Sequence, residues 1–265
     1  MAKKWKPFFL FLLIVWMPMN VRASEELYAI KENTHTHKFY ERALEVFTQK
    51  LPEAFEKNLY NSYKYIDLIM EVFKKKKIPS ELAYLPLIES GFSTFSVGPG
   101  GAVGLWQFVK ITAREYGLRI DRYVDERRDP VKSTHAAANY LRDLYSVFGA
   151  WDLTLAAYNA GEGKLKRFLS KYGTLKFPAV IHRYLGKFMA ASTVAQNPGD
   201  YGFDPQEEIE REEIEYKEIM TQEVISLKTI AQRFNTTVEA IRELNPALLT
   251  DTTPPYRYLI RVPKS

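Results

Sequence analysis

The sequence predicts a mainly α-helical protein that ends in a small α+β module, and three observations support this class. Apolar residues recur every three or four positions over residues 39–73, which is the period of an amphipathic helix. Asp129 and Pro130 form a helix-start pair and Gly149 is a helix stop, so together they bound a long helix. Residues 256–263 have the composition of a strand.

The other elements are predicted from local start and stop signals. Ser80 offers a capping hydroxyl for a helix that should kink at Pro86, because proline lacks the amide that an interior position uses. A loop follows over residues 91–103, since the glycines of residues 98–101 cannot continue a helix. The predicted helices after the first amphipathic region are residues 80–90, 105–116, 130–148, two shorter ones on either side of 159–163, one from about 178 to 196, and 226–234 and 238–245 in the module.

The first 23 residues predict export. Lys3, Lys4 and Lys6 precede an apolar run over residues 8–17, and small residues suit cleavage after Ala23. An uncleaved membrane anchor is the alternative, although the run is shorter than the ~20 residues of a spanning helix. The sequence has no cysteine, which excludes disulfides, a thiolate metal site and a cysteine nucleophile.

The charge balance argues against nucleic acid as a partner. Residues 1–23 hold four basic side chains and no acidic one, so cleavage lowers the formal net charge from +5 to +1. Of this, residues 204–265 contribute −4 and residues 24–203 contribute +5. A mildly basic main body suits an anionic or weakly acidic polymer outside the cytoplasm.

Glu89 is the candidate catalytic residue. Leu82, Leu85 and Glu89 are three and four positions apart, so they share one face of the predicted helix. A carboxyl group on an apolar face has a raised pKa and keeps its proton near neutral pH, which is the state that a general acid needs. A structural glutamate paired with an arginine or a backbone amide is the alternative that this pattern leaves open.

Side chains suited to a sugar lie near this helix in the sequence. The glycine-rich loop leads into Trp106 and Gln107, an aromatic ring and an amide of the kinds that stack on and hydrogen-bond a carbohydrate. Tyr158 and Asn159 lie on a later turn that could face the same cleft. A half-buried core tyrosine is the alternative for Tyr158.

Three motifs, in order, resemble those of the soluble and type D lytic transglycosylases, relatives of goose-type lysozyme. They are LPLIESGF at residues 85–92, GAVGLWQF at 101–108 and AAYNAG at 156–161. The resemblance covers about residues 60–200 and implies a helical, lysozyme-like domain with a long cleft. With the export signal of residues 1–23, this predicts a signal peptide over residues 1–23 and a catalytic domain over residues 24–203.

Residues 204–265 are predicted to form an acidic linker and the α+β module, with its elements in the order strand, helix, helix, strand. The module resembles a LysM-type glycan-binding module, although residues 222–224 stand where a glycine-led turn is usual. This resemblance implies peripheral contact with the cell wall, with the module raising the effective concentration of polymer at the cleft.

The transglycosylase resemblance implies cleavage, without water, of the β-1,4 bond between N-acetylmuramic acid and N-acetylglucosamine in peptidoglycan. Glu89 matches a single acid/base that protonates the glycosidic oxygen and then deprotonates the muramic 6-hydroxyl, whose attack on C1 gives a 1,6-anhydro sugar. Tyr158 matches a tyrosine that hydrogen-bonds the catalytic acid, while Gln107 and Asn159 match positions that contact sugar. No cofactor is implied, and the protein is expected to act as a monomer, periplasmic or secreted.

Gly98 departs from the family pattern, which has a serine there. Ser96 is a substitute hydroxyl two residues away, and Ser90 completes the predicted sugar-binding set of Ser90, Ser96, Gly98, Gln107, Tyr158 and Asn159. The departure keeps two alternatives open: a muramidase of the same fold, for example one acting on N-deacetylated peptidoglycan, and, more distantly, a non-catalytic glycan-binding protein.

The four histidines, His35, His37, His135 and His182, predict no metal site. Only His35 and His37 are close together in the sequence, near the mature N-terminus.

Overall fold

The computed structural model describes residues 19–173, 177–204 and 215–264, with backbone only for residues 19–23. The export signal predicted for residues 1–23 thus lies, apart from that short piece of backbone, outside the described residues. So does the acidic stretch 205–214.

The described part of the main body is helical. Its helices are α1 (Met19–Glu32), α2 (Thr34–Glu45), α3 (Pro52–Tyr63), α4 (Ile66–Lys76), α5 (Leu85–Glu89), α6 (Lys110–Glu115), α7 (Pro130–Phe148), α8 (Trp151–Ala160), α9 (Glu162–Tyr172) and α10 (Ala179–Gln196). A π-helical turn covers Val46–Lys50, and short 3₁₀ turns cover Ser80–Tyr84, Pro99–Gly101, Glu126–Arg128 and Pro198–Tyr201. The mainly helical class is confirmed.

Helix α10 lies at the centre of the main body and packs on α1, α2, α5 and α8. Gly186 allows the close approach of α2, because a Cβ at this position would lie 2.7 Å from the backbone nitrogen of Tyr40. The core around α10 contains the fully buried side chains of Phe73, Phe92 and Phe188. This central helix therefore holds the elements on either side of it in fixed positions.

The segment predicted as one kinked helix over residues 80–90 is two elements. A 3₁₀ turn ends at Tyr84, and α5 begins at Leu85 with Pro86 in its first turn. Proline is tolerated there because backbone amides of the first turn have no acceptor within the helix. Ser80 was expected to cap this segment, but its hydroxyl donates to Glu81 instead and no side chain caps the turn.

The helix predicted over residues 105–116 is shorter, and its start was placed wrongly. Helix α6 covers only Lys110–Glu115, because Val103 pairs with Phe108 in an isolated antiparallel bridge and Gln107 adopts a left-handed backbone conformation, with φ of 48°. Residues 104–107 therefore form a tight turn.

The long helix predicted between Asp129 and Gly149 is confirmed as α7. The Asp129 carboxylate accepts hydrogen bonds of 2.9 Å from the amides of Val131 and Lys132, and Gly149 ends the helix at φ of 70°. The helices predicted on either side of residues 159–163 and from about 178 to 196 are also present, as α8, α9 and α10.

The C-terminal module has the predicted order of strand, helix, helix, strand: β1 (Tyr216–Thr221), α11 (Leu227–Arg233), α12 (Val238–Leu244) and β2 (Tyr258–Pro263). The two strands are antiparallel, and Tyr216 pairs with Pro263 at one end and Thr221 with Tyr258 at the other. Along the described residues, no helix has both the length and the apolar character needed to cross a membrane.

Candidate active site

Glu89 is the last residue of α5, and packing on both sides fixes this short helix. Leu85 and Leu87 are buried in the main core, and Leu82 in the preceding turn is completely buried. The Ser90 hydroxyl donates to the Leu105 carbonyl over 2.8 Å, which ties the end of α5 to the loop that carries the second motif. The carboxyl group of Glu89 therefore leaves the core at a defined point.

Burial is the main influence on Glu89, and it raises the pKa of this carboxyl group. Two weaker influences lower the pKa: a hydrogen bond of 2.6 Å that the Tyr184 hydroxyl donates to Oε1, and the positive charge of Lys187. The Lys187 ammonium lies 3.4 Å from the Ile88 carbonyl oxygen. The net result is a carboxyl group that holds a proton more tightly than usual and whose ionised form still has two partners.

Tyr184, which contacts Glu89, was not among the predicted site residues. It lies on α10, 95 positions after Glu89, and is three residues from Lys187, so the two side chains share a face of that helix. The sequence feature that could have indicated Tyr184 was this polar pair on a helix whose other residues are largely buried. Nothing in the local sequence connects the pair to Glu89.

Tyr158 does not donate to Glu89, which corrects the role that the family resemblance implied. Its hydroxyl donates to the Trp106 carbonyl over 2.6 Å, and it is Tyr184 that donates to the acid. Tyr158 still lies near the site, because the charge of Glu89 contributes, after burial, to a strongly raised pKa of Tyr158. Asn159 follows it and is exposed near the end of α8.

The predicted residues of the glycine-rich loop lie close together. Gln107 is half-buried, and its Nε2 donates to the carbonyl oxygens of Gly104 at 2.9 Å and Ser96 at 3.3 Å. Its Oε1 lies against Gly98, where an added Cβ would be only 2.2 Å away. Ser96, Gly98 and Gln107 thus form one surface, in which the glutamine amide fills the space beside the glycine.

Trp106 does not form a sugar-stacking surface, so this expectation was wrong. Its side chain is completely buried, its Nε1 donates to the Thr134 hydroxyl over 3.1 Å, and its ring packs near Phe73. Because adjacent residues point in different directions in the turn, Trp106 faces the core while Gln107 faces the loop.

His35 and His182 come together across α2 and α10, with ring centroids 5.5 Å apart and the Thr36 hydroxyl 2.9 Å from Nδ1 of His182. Within the described ranges, no three histidine or acidic side chains are grouped so that they could hold a metal ion. The described side chains therefore give no basis for assigning a metal.

Comparison with known proteins places two family domains in the chain. Residues 68–181 match the family described as "Transglycosylase SLT domain", and residues 215–265 match "Lytic transglycosylase MltD, LysM-like domain". The chain thus combines an SLT domain with a LysM-like domain, which confirms the resemblance inferred from the motifs. The first match includes Glu89, Gln107 and Tyr158 and ends three residues before Tyr184.

Two relatives illustrate the similarity. The chain is 36% identical over 148 residues to "Membrane-bound lytic murein transglycosylase D" of Escherichia coli K12, covering 52% of this chain and 33% of that protein. It is 40% identical over 79 residues to "Peptidoglycan transglycosylase gp16" of Escherichia phage T7, covering 29% of this chain and 6% of that protein. The chain thus spans about a third of the length of the Escherichia coli relative.

Among solved structures, the 70 kDa soluble lytic transglycosylase of Escherichia coli is 21% identical, with a TM-score of 0.38 over 71% of this chain and 35% of that protein.

Proposed function

We propose that this chain, in which an SLT domain precedes a LysM-like domain, is an enzyme that cleaves the β-1,4 bond between N-acetylmuramic acid and N-acetylglucosamine in peptidoglycan. The observation that carries the proposal is Glu89: a carboxyl group with a raised pKa, ordered by a hydrogen bond from Tyr184. The names of the relatives, which refer to murein and peptidoglycan transglycosylases, support the same substrate.

Glu89 acts twice in the proposed reaction. In its protonated state it gives its proton to the glycosidic oxygen as the bond to C1 breaks. The resulting carboxylate then accepts the proton of the muramic 6-hydroxyl, whose oxygen bonds to C1 and closes the 1,6-anhydro ring. Tyr184 and Lys187 favour the carboxylate form between the two steps, since both lower the pKa of Glu89.

The proposed mechanism uses one carboxyl group, as the resemblance of the three motifs implies, whereas many other glycosidases use two that lie ~5 to 9 Å apart. Burial, Tyr184 and Lys187 are the influences that set the pKa of Glu89. The substrate's own 2-acetamido oxygen would then stabilise the positive charge that develops at C1.

The experiment that tests this function is mass spectrometry of the soluble fragments released from purified sacculi. Transglycosylation gives muramic ends that lack the mass of one water molecule, whereas hydrolysis gives reducing ends. The Glu89→Gln variant is the control for contaminating enzymes. Reducing ends that disappear with Glu89→Gln would replace the proposed reaction by a muramidase activity of the same site.

A muramidase acting on N-deacetylated glycan is the second candidate, and Gly98 is the observation that favours it. No side chain extends from this position, and the Gln107 amide fills the neighbouring space. Without the family hydroxyl, a 2-acetamido group loses one expected contact. Digestion of acetylated and deacetylated sacculi in parallel separates the two candidates.

We further propose that the enzyme acts as a monomer outside the cytoplasmic membrane, following cleavage after Ala23. The basic and apolar segments of residues 1–23 support export, and the name of the Escherichia coli relative includes "membrane-bound". Cell fractionation and N-terminal sequencing of the full chain test both location and processing. A retained N-terminus in the membrane fraction would favour the uncleaved anchor.

A further inference from the structure

The C-terminal module is joined to the main body through residues 119–129, which we call the socket loop. Val124 of this loop is completely buried within the core of the module, among side chains that include Leu227 and Ile260. Backbone hydrogen bonds fix it on both sides: Asp125 N to Ala247 O at 2.9 Å, and Leu249 N to Tyr123 O at 2.8 Å. One residue of the main body thus completes the apolar core of the module.

A buried ion pair lies beside this apolar contact. Arg261 of strand β2 donates to the Asp129 carboxylate, with Nη1 3.2 Å from Oδ2, and both side chains are less than 10% exposed. Asp129 also caps α7, so the module contacts the first turn of a long helix in the main body. Tyr256 of the module donates a further hydrogen bond to Asp121.

The socket loop also holds the loop that contains Gln107. The guanidinium of Arg127, itself buried, pairs with Asp125 and donates to the carbonyl oxygens of Gly101 at 2.7 Å and Phe108 at 3.0 Å. These two carbonyl groups lie close to the two ends of the tight turn that carries Gln107. A continuous set of contacts therefore runs from the module core through the socket loop to this turn.

The fit between the two loops is close. A Cβ on Gly104, in this turn, would lie 2.0 Å from the carbonyl oxygen of Arg127, so only glycine allows this approach. Displacement of the socket loop would therefore change the position of the turn. The direct contacts of Glu89 come from other elements, α5 and Tyr184 of α10, and its link to the turn is the hydrogen bond from the neighbouring Ser90 to the Leu105 carbonyl.

We propose that the C-terminal module is a docked brace that positions the Gln107 turn through the socket loop, rather than a flexibly tethered glycan-binding unit. Val124, Arg261 and Arg127 are the positioning residues in this arrangement. The effect on sugar binding rests on the proposed function of the cleft, whereas the docking itself does not.

Distance measurement between spin labels tests the docking directly. The chain has no cysteine, so two introduced cysteines at exposed positions, Arg142→Cys in α7 and Lys228→Cys in α11, are labelled specifically. In the otherwise unchanged full chain we expect one narrow distance distribution. Val124→Asp places a charge in the module core and should broaden that distribution, whereas the matched exposed substitution Val224→Asp should leave it narrow.

Kinetics on a short soluble glycan test the brace. Undocking by Val124→Asp should raise KM by about threefold or more, the equivalent of one lost hydrogen bond, and change kcat by a smaller factor, because the hydrogen bond from Tyr184 of α10 to Glu89 does not pass through the socket loop. Simple loss of folded protein would lower kcat and leave KM unchanged. A flexible tether predicts unchanged kinetics on a substrate too short to reach the module.

If circular dichroism shows that Val124→Asp has lost native helix content, Arg261→Met provides the second variant and Arg261→Lys its conservative partner. The same broadening and KM increase are expected for methionine, with partial recovery for lysine. A broad distribution in the unchanged chain, or undocking with unchanged KM, would overturn the proposal. A narrow distribution in a chain without any cleaving activity would overturn the proposed function alone.

Discussion

Glu89 and Asp129 are both carboxyl groups with limited access to water, but their surroundings differ. Asp129 accepts two backbone hydrogen bonds at the start of α7 and faces the buried guanidinium of Arg261. Glu89 accepts a hydrogen bond from the neutral hydroxyl of Tyr184, and its pKa is raised by burial. An acid whose negative charge is fully compensated by its partners has a structural role. An acid whose negative charge is incompletely compensated can keep a proton and transfer it. Burial alone does not distinguish the two.

The largest expected effect is the loss of activity when Glu89, the proposed catalytic acid, is replaced. Glu89→Gln keeps the shape of the side chain and removes the transferable proton, and since one group serves both steps, we expect a loss of ~10⁴-fold or more. Measurement of fragment release from sacculi checks this, with pull-down on sacculi showing that binding is retained. A variant with more than about a tenth of wild-type turnover would contradict the assignment, because this is a change of only ~1.4 kcal/mol in the barrier.

The same variant should not lose stability. A raised pKa in the folded state means that folding disfavours the ionised form, so the cost to stability appears as the pH rises through the unfolded and then the folded pKa. The neutral amide introduced by Glu89→Gln removes that cost. Urea unfolding at neutral pH should therefore show a free energy of unfolding equal to or above that of the wild type.

Asp129→Asn, in contrast, should lose stability. Asparagine still caps a helix, so the substitution mainly removes the charge that pairs with buried Arg261, at an expected cost of about 3–5 kcal/mol in the free energy of unfolding. Urea unfolding measures this. The exposed pair of Lys64 and Glu243, which also joins module to main body, provides the control, since Glu243→Gln should cost no more than about 1 kcal/mol. Equal effects of the two substitutions would refute the comparison.

A smaller effect is expected on the pH dependence of activity. The Tyr184 hydroxyl stabilises the carboxylate and lowers the pKa of Glu89, so Tyr184→Phe should raise that pKa. Because the first step needs the protonated acid, the alkaline limb of the profile of kcat/KM should move to higher pH. Tyr158→Phe is the matched control, since its hydroxyl donates to the Trp106 carbonyl and not to Glu89. If the alkaline limb moved only in Tyr158→Phe, then Tyr158, and not Tyr184, would be the tyrosine that stabilises the Glu89 carboxylate.

The sequence alone was sufficient to predict features that depend on neighbouring residues. The capped start of α7, the order of elements in the module and the motif that contains Glu89 all depend on neighbouring residues. Tyr184 and the socket loop were missed because packing brings distant segments together, and no local pattern records that Val124 completes a second core. Trp106 was misplaced for a related reason, since the turn at Gln107 decides which side chain faces inward.

The smallest expected effect concerns Gly98, and the structure changes how it must be tested. Its φ of −108° is compatible with serine, so Gly98→Ser does not strain the backbone. However, a Cβ there would lie 2.2 Å from Oε1 of Gln107, so any side chain displaces that amide. Gly98→Ala is therefore the essential control, because it causes the same displacement without adding a hydroxyl.

If the missing hydroxyl relaxes recognition of the 2-acetamido group, Gly98→Ser should favour acetylated over deacetylated glycan by several-fold relative to Gly98→Ala. One neutral hydrogen bond contributes ~0.5–1.5 kcal/mol, which limits the change to that range. The measurement is the ratio of kcat/KM on the two substrates for all three proteins. If the serine and alanine variants share a ratio that differs from the wild type, displacement of Gln107, rather than the hydroxyl, controls selectivity at this position, since both side chains add the same Cβ. Equal ratios in all three proteins would show that this position does not control selectivity.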